Sequence, residues 1–273
     1  MKTNIDEIEF TIFDTETTGL DPKSGDRIIE IAGVKFKGEK KIASFQTLVN
    51  PHRAVSEGAF AVNKISQEML VGAPDFSKVA PEFRDFIKGS VLCSYNAAFD
   101  MGFVNNELEL VGAGRLDEVM VVDILKMSRR LIPGLERYAL WFVAEKLGLG
   151  AKQEHRAWSD VEITLGVFNK LKAIAENKHI TEFGNFMGLF GITPRIVEDI
   201  NNQKIAEIQE AIGMGVKLKI KYLAASSAEV SEREVIPKEI KQENNNSYLV
   251  GYCCLKNEER VFRVDGILHI EAV

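Results

Sequence analysis

Cysteine is scarce in this 273-residue chain, which contains three cysteines and two tryptophans. Cys253 and Cys254 are adjacent, and Cys93 lies far from both in the sequence. An odd number of cysteines, two of them neighbours, indicates no disulfide framework. Their spacing matches no zinc-binding motif either. The sequence therefore argues against a small disulfide-stabilised fold and against a zinc site built from cysteines.

Long hydrophobic runs are also missing. No stretch approaches the roughly 18 uninterrupted apolar residues of a membrane span. The first residues, Met1–Glu7, lack the apolar core of a secretory signal. Hydrophobic residues make up 45% of the chain and charged residues 27%, which is ordinary for a globular protein. These features predict a cytoplasmic protein that does not bind a membrane.

An excess of positive charge is absent as well. The formal net charge is −6 and the sequence pI is about 5.5. A protein that passively coats nucleic acid would normally be basic, so the sequence argues against that class. An enzyme acting on nucleic acid stays compatible, because divalent cations held by acidic residues can meet the phosphates.

The first part of the chain predicts an α/β fold. Residues 8–14 predict a buried strand, and two more strands flank a hairpin turn at Lys37–Lys40. Strand and helix patterns then alternate to about residue 175. Three early strands followed by this alternation indicate a mixed sheet with helices packed on it.

The pattern changes after this block. Residues 178–201 are less regular and contain Pro194 and several glycines, which is typical of a linker with short helical pieces. From Val216 onward, alternating apolar residues predict a small all-β module. We therefore predict a catalytic domain over 1–175, a helical linker over 176–204 and a β domain over 205–273.

Two acids stand at the end of the first predicted strand, in the stretch TIFDTETTGL. Asp14 and Glu16 would project side by side, because alternate residues of a strand share a face. Two carboxylates that close repel each other unless a proton or a cation lies between them. Asp100 follows the short predicted strand SVLCSYN, and Asp160 opens the helix after EHRAW. If the four acids converge, they suit Mg²⁺ or Mn²⁺, which prefer hard oxygen ligands.

A histidine accompanies the last of these acids. His155 lies five residues before Asp160. Imidazole changes its charge near neutral pH, which suits a general base. A dication nearby would favour the neutral form that can accept a proton. The sequence therefore predicts that His155 takes the proton from an attacking water.

Three stretches around these residues resemble the motifs of the DEDDh 3′–5′ exonucleases, a family that includes the epsilon proofreading subunits of replicative polymerases. The stretches are FDTETTGL, SYNAAFDMGF and HRAWSDVEIT, and the resemblance covers about residues 8–173. It implies an RNase-H-like fold, a pair of divalent cations (Mg²⁺ or Mn²⁺) and His155 as the general base. The metal ligands that it implies are Asp14, Glu16, Asp100 and Asp160.

The resemblance also implies how a 3′ end is held. The residues that it assigns to substrate binding are Thr17, Thr18, Gly19, Ile65, Asn96 and Phe99. Gly19 would allow close approach of the backbone to the terminal nucleotide. Ile65 would wedge between the last two bases, and Asn96 would hydrogen-bond to the strand. Asn63 and Lys64 depart from the family pattern, which usually has a His-Gly pair there.

Each acid also has a plain structural interpretation. An Asp-x-Glu pair at a strand end is weak evidence for a metal site when taken alone. Asp100 and Asp160 could each be stabilised by a helix dipole, and His155 alone would be typical of a surface histidine. Five residues in the right order within three matching stretches favour catalysis. Asp123, by contrast, is predicted to cap or bond to the helix that follows it.

The C-terminal stretch resembles a WYL domain, a small SH3-like β module, in SEREVIPKEI and SYLVGYCCLKNEERVFRVDGI. Ser247 stands in place of the name-giving tryptophan, and Gly266 replaces a usual arginine. A candidate patch for nucleic acid or another anionic ligand consists of Arg233, Tyr252, Arg260 and Arg263. Alternatively, these arginines are ordinary strand residues that pair with Glu232, Glu234 and Glu259.

The leading hypothesis is a metal-dependent 3′–5′ exonuclease that hydrolyses phosphodiester bonds at DNA 3′ ends and releases nucleoside monophosphates, in proofreading or repair. Its expected substrate is a single-stranded or frayed 3′ end, with DNA favoured over RNA, and a DNA polymerase subunit is a candidate partner. Two alternatives stay open. One is an exonuclease of RNA 3′ ends. The other is a non-catalytic adaptor that senses nucleic acid or nucleotides through the C-terminal domain.

Overall fold

The N-terminal part of the chain forms a mixed sheet. The computed structural model describes residues 2–150 and 155–273. The strands of this sheet are β1 (Glu9–Thr17), β2 (Ile28–Lys37), β3 (Lys40–Leu48), β4 (Val91–Ser94) and β5 (Val121–Asp123), in the order β3-β2-β1-β4-β5. β1, β2 and β3 are antiparallel neighbours, whereas β1, β4 and β5 run parallel. The predicted mixed sheet is confirmed.

Helices cover both faces of this sheet. The helices of the described residues are α1 (Glu57–Asn63), α2 (Gln67–Leu70), α3 (Phe76–Ile87), α4 (Ala97–Leu110), α5 (Ile124–Leu131), α6 (Leu140–Lys146), α7 (Ala157–Asn177), α8 (Phe183–Phe190) and α9 (Pro194–Met214), the last of which packs on the C-terminal sheet. Phe10 and Phe13, three residues apart on β1, point to opposite faces. Phe10 packs on Phe168 of α7 with ring centroids 5.2 Å apart, and Phe13 packs on Phe83 of α3 at 6.0 Å. β1 therefore has α7 on one side and α3 and α4 on the other.

The segment predicted as an irregular linker is more helical than expected. α9 begins inside it and continues without a break through the helix predicted near residue 203. The prediction treated Pro194 as a break, but Pro194 occupies the first turn of α9. Proline is tolerated there because the N–H that it lacks would have no partner within the helix.

The C-terminal residues form a second, antiparallel sheet. Its strands are β6 (Leu218–Leu223), β7 (Val230–Glu243), β8 (Asn246–Cys253), β9 (Glu258–Arg263) and β10 (Ile267–Ala272), in the order β10-β6-β7-β8-β9. Ile208 and Ala211 of α9 pack into its core. The predicted all-β module is confirmed, and α9 covers one side of it.

A buried ion pair joins the two parts. Asp265 accepts hydrogen bonds from Arg130 of α5 and, at 2.6 Å, from Arg263 of β9. The side chains of Arg130 and Asp265 are each 11% exposed. Nearby, the Lys204 Nζ of α9 donates to the carbonyl of Ile267 at 2.6 Å. Across residues 2–150 and 155–273, no helix has the length and apolarity needed to span a membrane.

Candidate active site

Three carboxylates meet at the end of β1. Asp14 and Glu16 lie two residues apart on this strand, and Asp160 lies in the first turn of α7. One carboxylate oxygen of each residue lies within 4.8 Å of the other two. β1 supplies two of the acids on one face because its side chains alternate. α7 packs on that same face and brings Asp160, which is buried, to them.

Asp100 reaches the strand end from the opposite side of the sheet. It lies in the first turn of α4. This helix begins directly after Asn96, which has a left-handed φ of 69°. Its Oδ1 accepts hydrogen bonds from the Thr15 N–H at 3.0 Å and from the Thr15 hydroxyl at 2.7 Å, and its Oδ2 accepts from the Ser94 hydroxyl. Asp100 is close enough to raise the pKa of Asp14.

Burial and mutual repulsion make this cluster unfavourable when it is fully ionised. Burial, followed by the charges of Asp100 and Glu16, raises the pKa of Asp14 well above its usual range. Burial and the charge of Asp160 raise the pKa of Glu16 to about 8. Burial raises the pKa of Asp100 to about 6, although its hydrogen bonds act in the opposite direction. A bound cation would relieve the repulsion, and carboxylate oxygens are the donors that fit Mg²⁺ or Mn²⁺.

His155 lies two residues before the start of α7 and directly follows the four residues outside the described ranges. Its φ of 52° is in the left-handed region, which is costly for a non-glycine residue and recurs at functional sites. The residue is half-buried. His155 therefore lies just before the end of α7 that carries Asp160.

A fifth acid, Glu30 on β2, was not predicted. Glu30 pairs in register with Glu16 and is 1% exposed. Its charge contributes to the raised pKa values of Asp14 and Glu16. Its carboxylate binds the guanidinium of Arg156. The sequence signal was an acid inside the apolar strand RIIEIAGV, which a buried strand tolerates only when the acid has a partner.

In the loop predicted to bind substrate, both threonine hydroxyls donate hydrogen bonds to other residues of the protein. The Thr17 hydroxyl donates to the carbonyl of Gly19 at 2.6 Å, and the Thr18 hydroxyl donates to Asp26 Oδ1 at 3.1 Å. A Cβ atom on Gly19 would lie 2.2 Å from Asp26 Oδ2. Gly19 therefore makes room for the Asp26 carboxylate. Contact between this backbone and a nucleotide stays a prediction.

The other predicted substrate residues differ in accessibility. Ile65 is fully buried with Ile29 and Leu70, so its side chain cannot wedge between bases in this conformation. Asn96 is exposed at the start of α4. Phe99 is half-buried and packs on another phenylalanine of α4. Of these residues, Asn96 is the one placed in solvent, where it could reach a strand.

Two exposed apolar side chains near the strand end were not predicted. Leu20, directly after Gly19, is 84% exposed, and Phe60 of α1 is 45% exposed. A large contiguous apolar patch often marks a ligand-binding site, whereas single exposed apolar residues are common on protein surfaces. The flat face of a nucleobase is a suitable ligand, because it stacks on apolar and aromatic groups. Leu20 carried a sequence signal as a large apolar residue in the turn TTGLD.

α1 is tied to the strand end through both of its ends. The Ser56 N–H donates to the carbonyl of Thr18 at 3.3 Å, and Asn63 Nδ2 donates to the carbonyl of Thr17 at 3.4 Å. Asn63 is buried and also hydrogen-bonds to Glu16, which opposes the rise of that pKa. Asn63, noted in the sequence as a departure from the family pattern, therefore contacts a predicted metal ligand.

The residues predicted to form a C-terminal patch do not share one surface; they are Arg233, Tyr252, Arg260 and Arg263. Arg260 and Arg263 lie three residues apart on β9 and so point to opposite faces. Arg263 is engaged with Asp265, and Arg260 with Glu258 at 2.7 Å. Arg260 and Arg263 therefore lie on opposite faces of β9, each beside its own acidic neighbour, and ligand binding by the C-terminal domain stays a prediction.

Comparison with known proteins agrees with this geometry. A family model described as Exonuclease matches residues 11–168, and one described as WYL domain matches residues 203–272. DNA polymerase III subunit epsilon of Treponema pallidum (strain Nichols) is 41% identical over 170 residues, which cover 62% of this chain and 78% of that protein. DNA polymerase III PolC-type of Staphylococcus saprophyticus is 33% identical over 257 residues. This match covers 91% of this chain but 17% of the longer protein.

A solved structure supports the same assignment. Exonuclease X in complex with 5′ overhanging duplex DNA matches with a TM-score of 0.50 and 26% identity, over 62% of this chain and 93% of that chain. The Exonuclease match alone spans more than half of the chain. The chain therefore belongs to the exonuclease family and is a 3′–5′ exonuclease with an RNase-H-like fold, followed by a WYL domain.

Proposed function

We propose that this chain removes nucleotides one at a time from DNA 3′ ends by metal-dependent hydrolysis, in proofreading or repair. The observation that carries the proposal is the convergence of Asp14, Glu16 and Asp160 within 4.8 Å in a member of the exonuclease family. DNA as the substrate is supported by two DNA polymerase III relatives and by exonuclease X, whose solved structure holds duplex DNA.

Two divalent cations, Mg²⁺ or Mn²⁺, complete the site in this proposal. Asp14, Glu16, Asp100 and Asp160 would hold them, with Asp100 reaching the same strand end from α4. When bound, such ions polarise the phosphodiester and stabilise the negative charge on the leaving 3′ oxygen. Glu16, with a pKa of about 8, keeps a proton at neutral pH until a cation displaces it.

His155 acts as the general base. Its neutral imidazole accepts a proton from the water whose oxygen attacks phosphorus. The new phosphorus–oxygen bond forms as the bond to the 3′ oxygen of the preceding nucleotide breaks. That 3′ oxygen takes up a proton, and a nucleoside monophosphate leaves. The position of His155 at the start of α7, close in sequence to Asp160, supports this role.

The 3′ end would lie against the exposed groups at the strand end. Leu20 and Phe60 offer apolar surface to bases, and Asn96 offers an amide to the strand. In this proposal the catalytic unit spans 1–175, a helical connection spans 176–204 and the WYL-like unit spans 205–273. A DNA polymerase subunit is the proposed protein partner, because relatives are subunits or larger forms of a DNA polymerase.

A nuclease assay tests this function. The chain is incubated with 5′-labelled single-stranded DNA, 3′-recessed duplex, 3′-mismatched duplex and RNA of matched sequence, each with Mg²⁺, Mn²⁺ or EDTA. We expect a ladder that shortens from the 3′ end of DNA, no product in EDTA, and slower digestion of RNA. Faster digestion of RNA would move the assignment to RNA 3′ ends. No hydrolysis of any substrate with either metal would favour the adaptor hypothesis.

A further inference from the structure

Glu30 is a buried acid whose hydrogen bonds all lead to neighbouring elements. Its Oε2 accepts from Arg156 Nε at 3.0 Å and from the Ala157 N–H at 3.1 Å. Its Oε1 accepts from Arg156 Nη2 at 2.9 Å and from Gln46 Nε2 at 3.2 Å. These four donors replace the water that a buried carboxylate lacks. Glu30 therefore ties β2 to the start of α7.

The start of α7 depends on this carboxylate. The first N–H groups of a helix lack partners within the helix, and a side chain of the preceding residue often satisfies one of them. Arg156 precedes α7 but directs its side chain to Glu30 instead. Glu30 then accepts from the first helical N–H, that of Ala157, and its negative charge suits the positive end of the helix dipole.

The position of Glu30 on the sheet connects this contact to the catalytic acids. Glu30 lies directly opposite Glu16 in the β1–β2 register, so both side chains share one face. Two facing carboxylates would repel each other. The bidentate ion pair with Arg156 offsets the negative charge of Glu30 and so reduces its repulsion of Glu16. This arrangement brings α7, with Asp160 in its first turn, onto the face that carries Asp14 and Glu16.

We propose that Glu30 is a positioning residue, which fixes the start of α7 through Arg156 and the Ala157 N–H and so holds Asp160 and His155 against the acids of β1. The inference rests on the proposed metal-dependent function. Residues that orient metal ligands typically contribute about 10- to 100-fold to metal affinity or activity. Loss of Glu30 should therefore act on the metal site in addition to any effect on stability.

The test compares Glu30→Gln with a matched buried pair elsewhere in the chain. Glu107 of α4 is also 1% exposed, binds both Nε and Nη2 of Arg27, at 2.7 and 2.6 Å, and accepts from the Ile28 N–H at 3.0 Å. Glu107→Gln therefore removes the same kind of contact without touching α7. Binding of Mn²⁺ alone is measured by isothermal titration calorimetry, followed by kcat, KM for DNA and thermal unfolding.

We expect Glu30→Gln to weaken Mn²⁺ binding and lower kcat by about tenfold each, with KM for DNA within twofold of the wild type. Glu107→Gln should lower the unfolding temperature and leave Mn²⁺ binding unchanged. Arg156→Lys, which keeps the charge but loses the bidentate geometry, should shift Mn²⁺ binding in the same direction as Glu30→Gln. This variant also serves if Glu30→Gln does not fold.

Unchanged Mn²⁺ binding and kcat in Glu30→Gln, with only the loss of stability seen in Glu107→Gln, would overturn the positioning role. The failure of the proposed function would look different. In that case the wild type and Glu107→Gln would hydrolyse neither DNA nor RNA, while Glu30→Gln would still bind Mn²⁺ more weakly than the wild type.

Discussion

Thr15 donates both its backbone N–H and its hydroxyl to the same oxygen of Asp100, at 3.0 and 2.7 Å. Thr15 lies between Asp14 and Glu16 on β1, and its side chain points to the opposite face. The two faces at the end of β1 therefore contact different acids. One face presents a pair of acids to α7, and the other holds the acid that comes from α4.

Thr15→Val tests whether this contact positions Asp100. Valine keeps the shape of threonine and the backbone N–H but removes the hydroxyl. We expect kcat to fall by about tenfold, at the low end for residues that orient metal ligands. Thr11→Val is the control, because its hydroxyl is also buried on β1 and lies 2.6 Å from Ser90 Oγ. Thr11→Val should cost about 1 kcal/mol of stability without changing kcat. Equal kcat values for the two variants would contradict the positioning of Asp100 by Thr15.

Asp14→Asn and Asp160→Asn should each abolish hydrolysis while the fold stays intact. Each variant removes a negative charge from the cluster that would hold the cations, and a metal ion supplies several kcal/mol of transition-state stabilisation. We expect a loss of about 1,000-fold or more in kcat, since each 1.4 kcal/mol is a factor of ten. Circular dichroism checks the fold. Asp117→Asn, at an exposed acid, is the control and should keep full activity. Turnover near the wild-type rate in either cluster variant would rule out the assigned site.

Glu16 should make the metal-free protein less stable as the pH rises. Its pKa is raised from 4.5 to about 8 in the folded state, so between these values the folded chain binds more protons than the unfolded chain. Stability therefore falls with rising pH through this window. In EDTA, Glu16→Gln should be more stable than the wild type by about 4 kcal/mol at pH 8, and the gain should disappear as the pH falls to 4.5 and below.

Thermal unfolding from pH 4.5 to 8.5 measures this difference between the two proteins. Adding Mn²⁺ at pH 8 should raise the unfolding temperature of the wild type more than that of Glu16→Gln. A difference that stays constant across the whole pH range would show that Glu16 has the same proton affinity in both states.

Local rules were enough to predict part of the site. Strand alternation alone placed Asp14 and Glu16 side by side. The predicted cap at Asp123 is confirmed, because its Oδ1 accepts from the N–H groups of Leu125 and Lys126 at 2.8 and 3.1 Å. Both inferences depend on residues that are close in sequence, where backbone geometry fixes the distances.

The rest depends on partners that are distant in sequence. The pairs Glu30–Arg156 and Arg130–Asp265 join elements whose packing no local pattern specifies. The burial of Ile65 follows from the way α2 packs on β2, which the sequence motif does not reveal. The position of a residue in a motif, as for Ile65, therefore does not determine whether its side chain is exposed. The packing of the folded chain determines it.

His155→Ala should slow the chemical step without weakening metal binding. A general base contributes about 10²- to 10⁴-fold to the rate, so we expect a fall in kcat of at least about 100-fold at saturating Mn²⁺. The wild-type rate should drop on the acidic side, where a histidine base is protonated, and the variant should lose this dependence. Single-turnover rates against pH measure both effects.

His179→Ala is the matched control for this variant. His179 also has a left-handed φ, 59°, but lies just beyond the opposite end of α7. It should behave like the wild type in rate and in pH profile. An acidic limb that persists unchanged in His155→Ala would assign the base to another group.

Asp265→Asn should loosen the junction between the exonuclease part and the WYL domain. Burial acts to raise the pKa of Asp265, but Arg130 and Arg263 together hold it below its usual value, which shows that both guanidinium groups stabilise the carboxylate. Removing the charge leaves two arginines without their shared partner. Breaking a buried pair in this way costs about 3 kcal/mol. We expect a lower unfolding temperature with kcat on DNA unchanged, because Asp265 contacts Arg130 and Arg263 rather than the residues of the active site.

Glu118→Gln is the control for this variant. Glu118 pairs with Arg195 on the surface, where its side chain is 76% exposed, and such pairs contribute about 0–1 kcal/mol. A loss of stability no greater than in Glu118→Gln would mean that other contacts hold the two domains together.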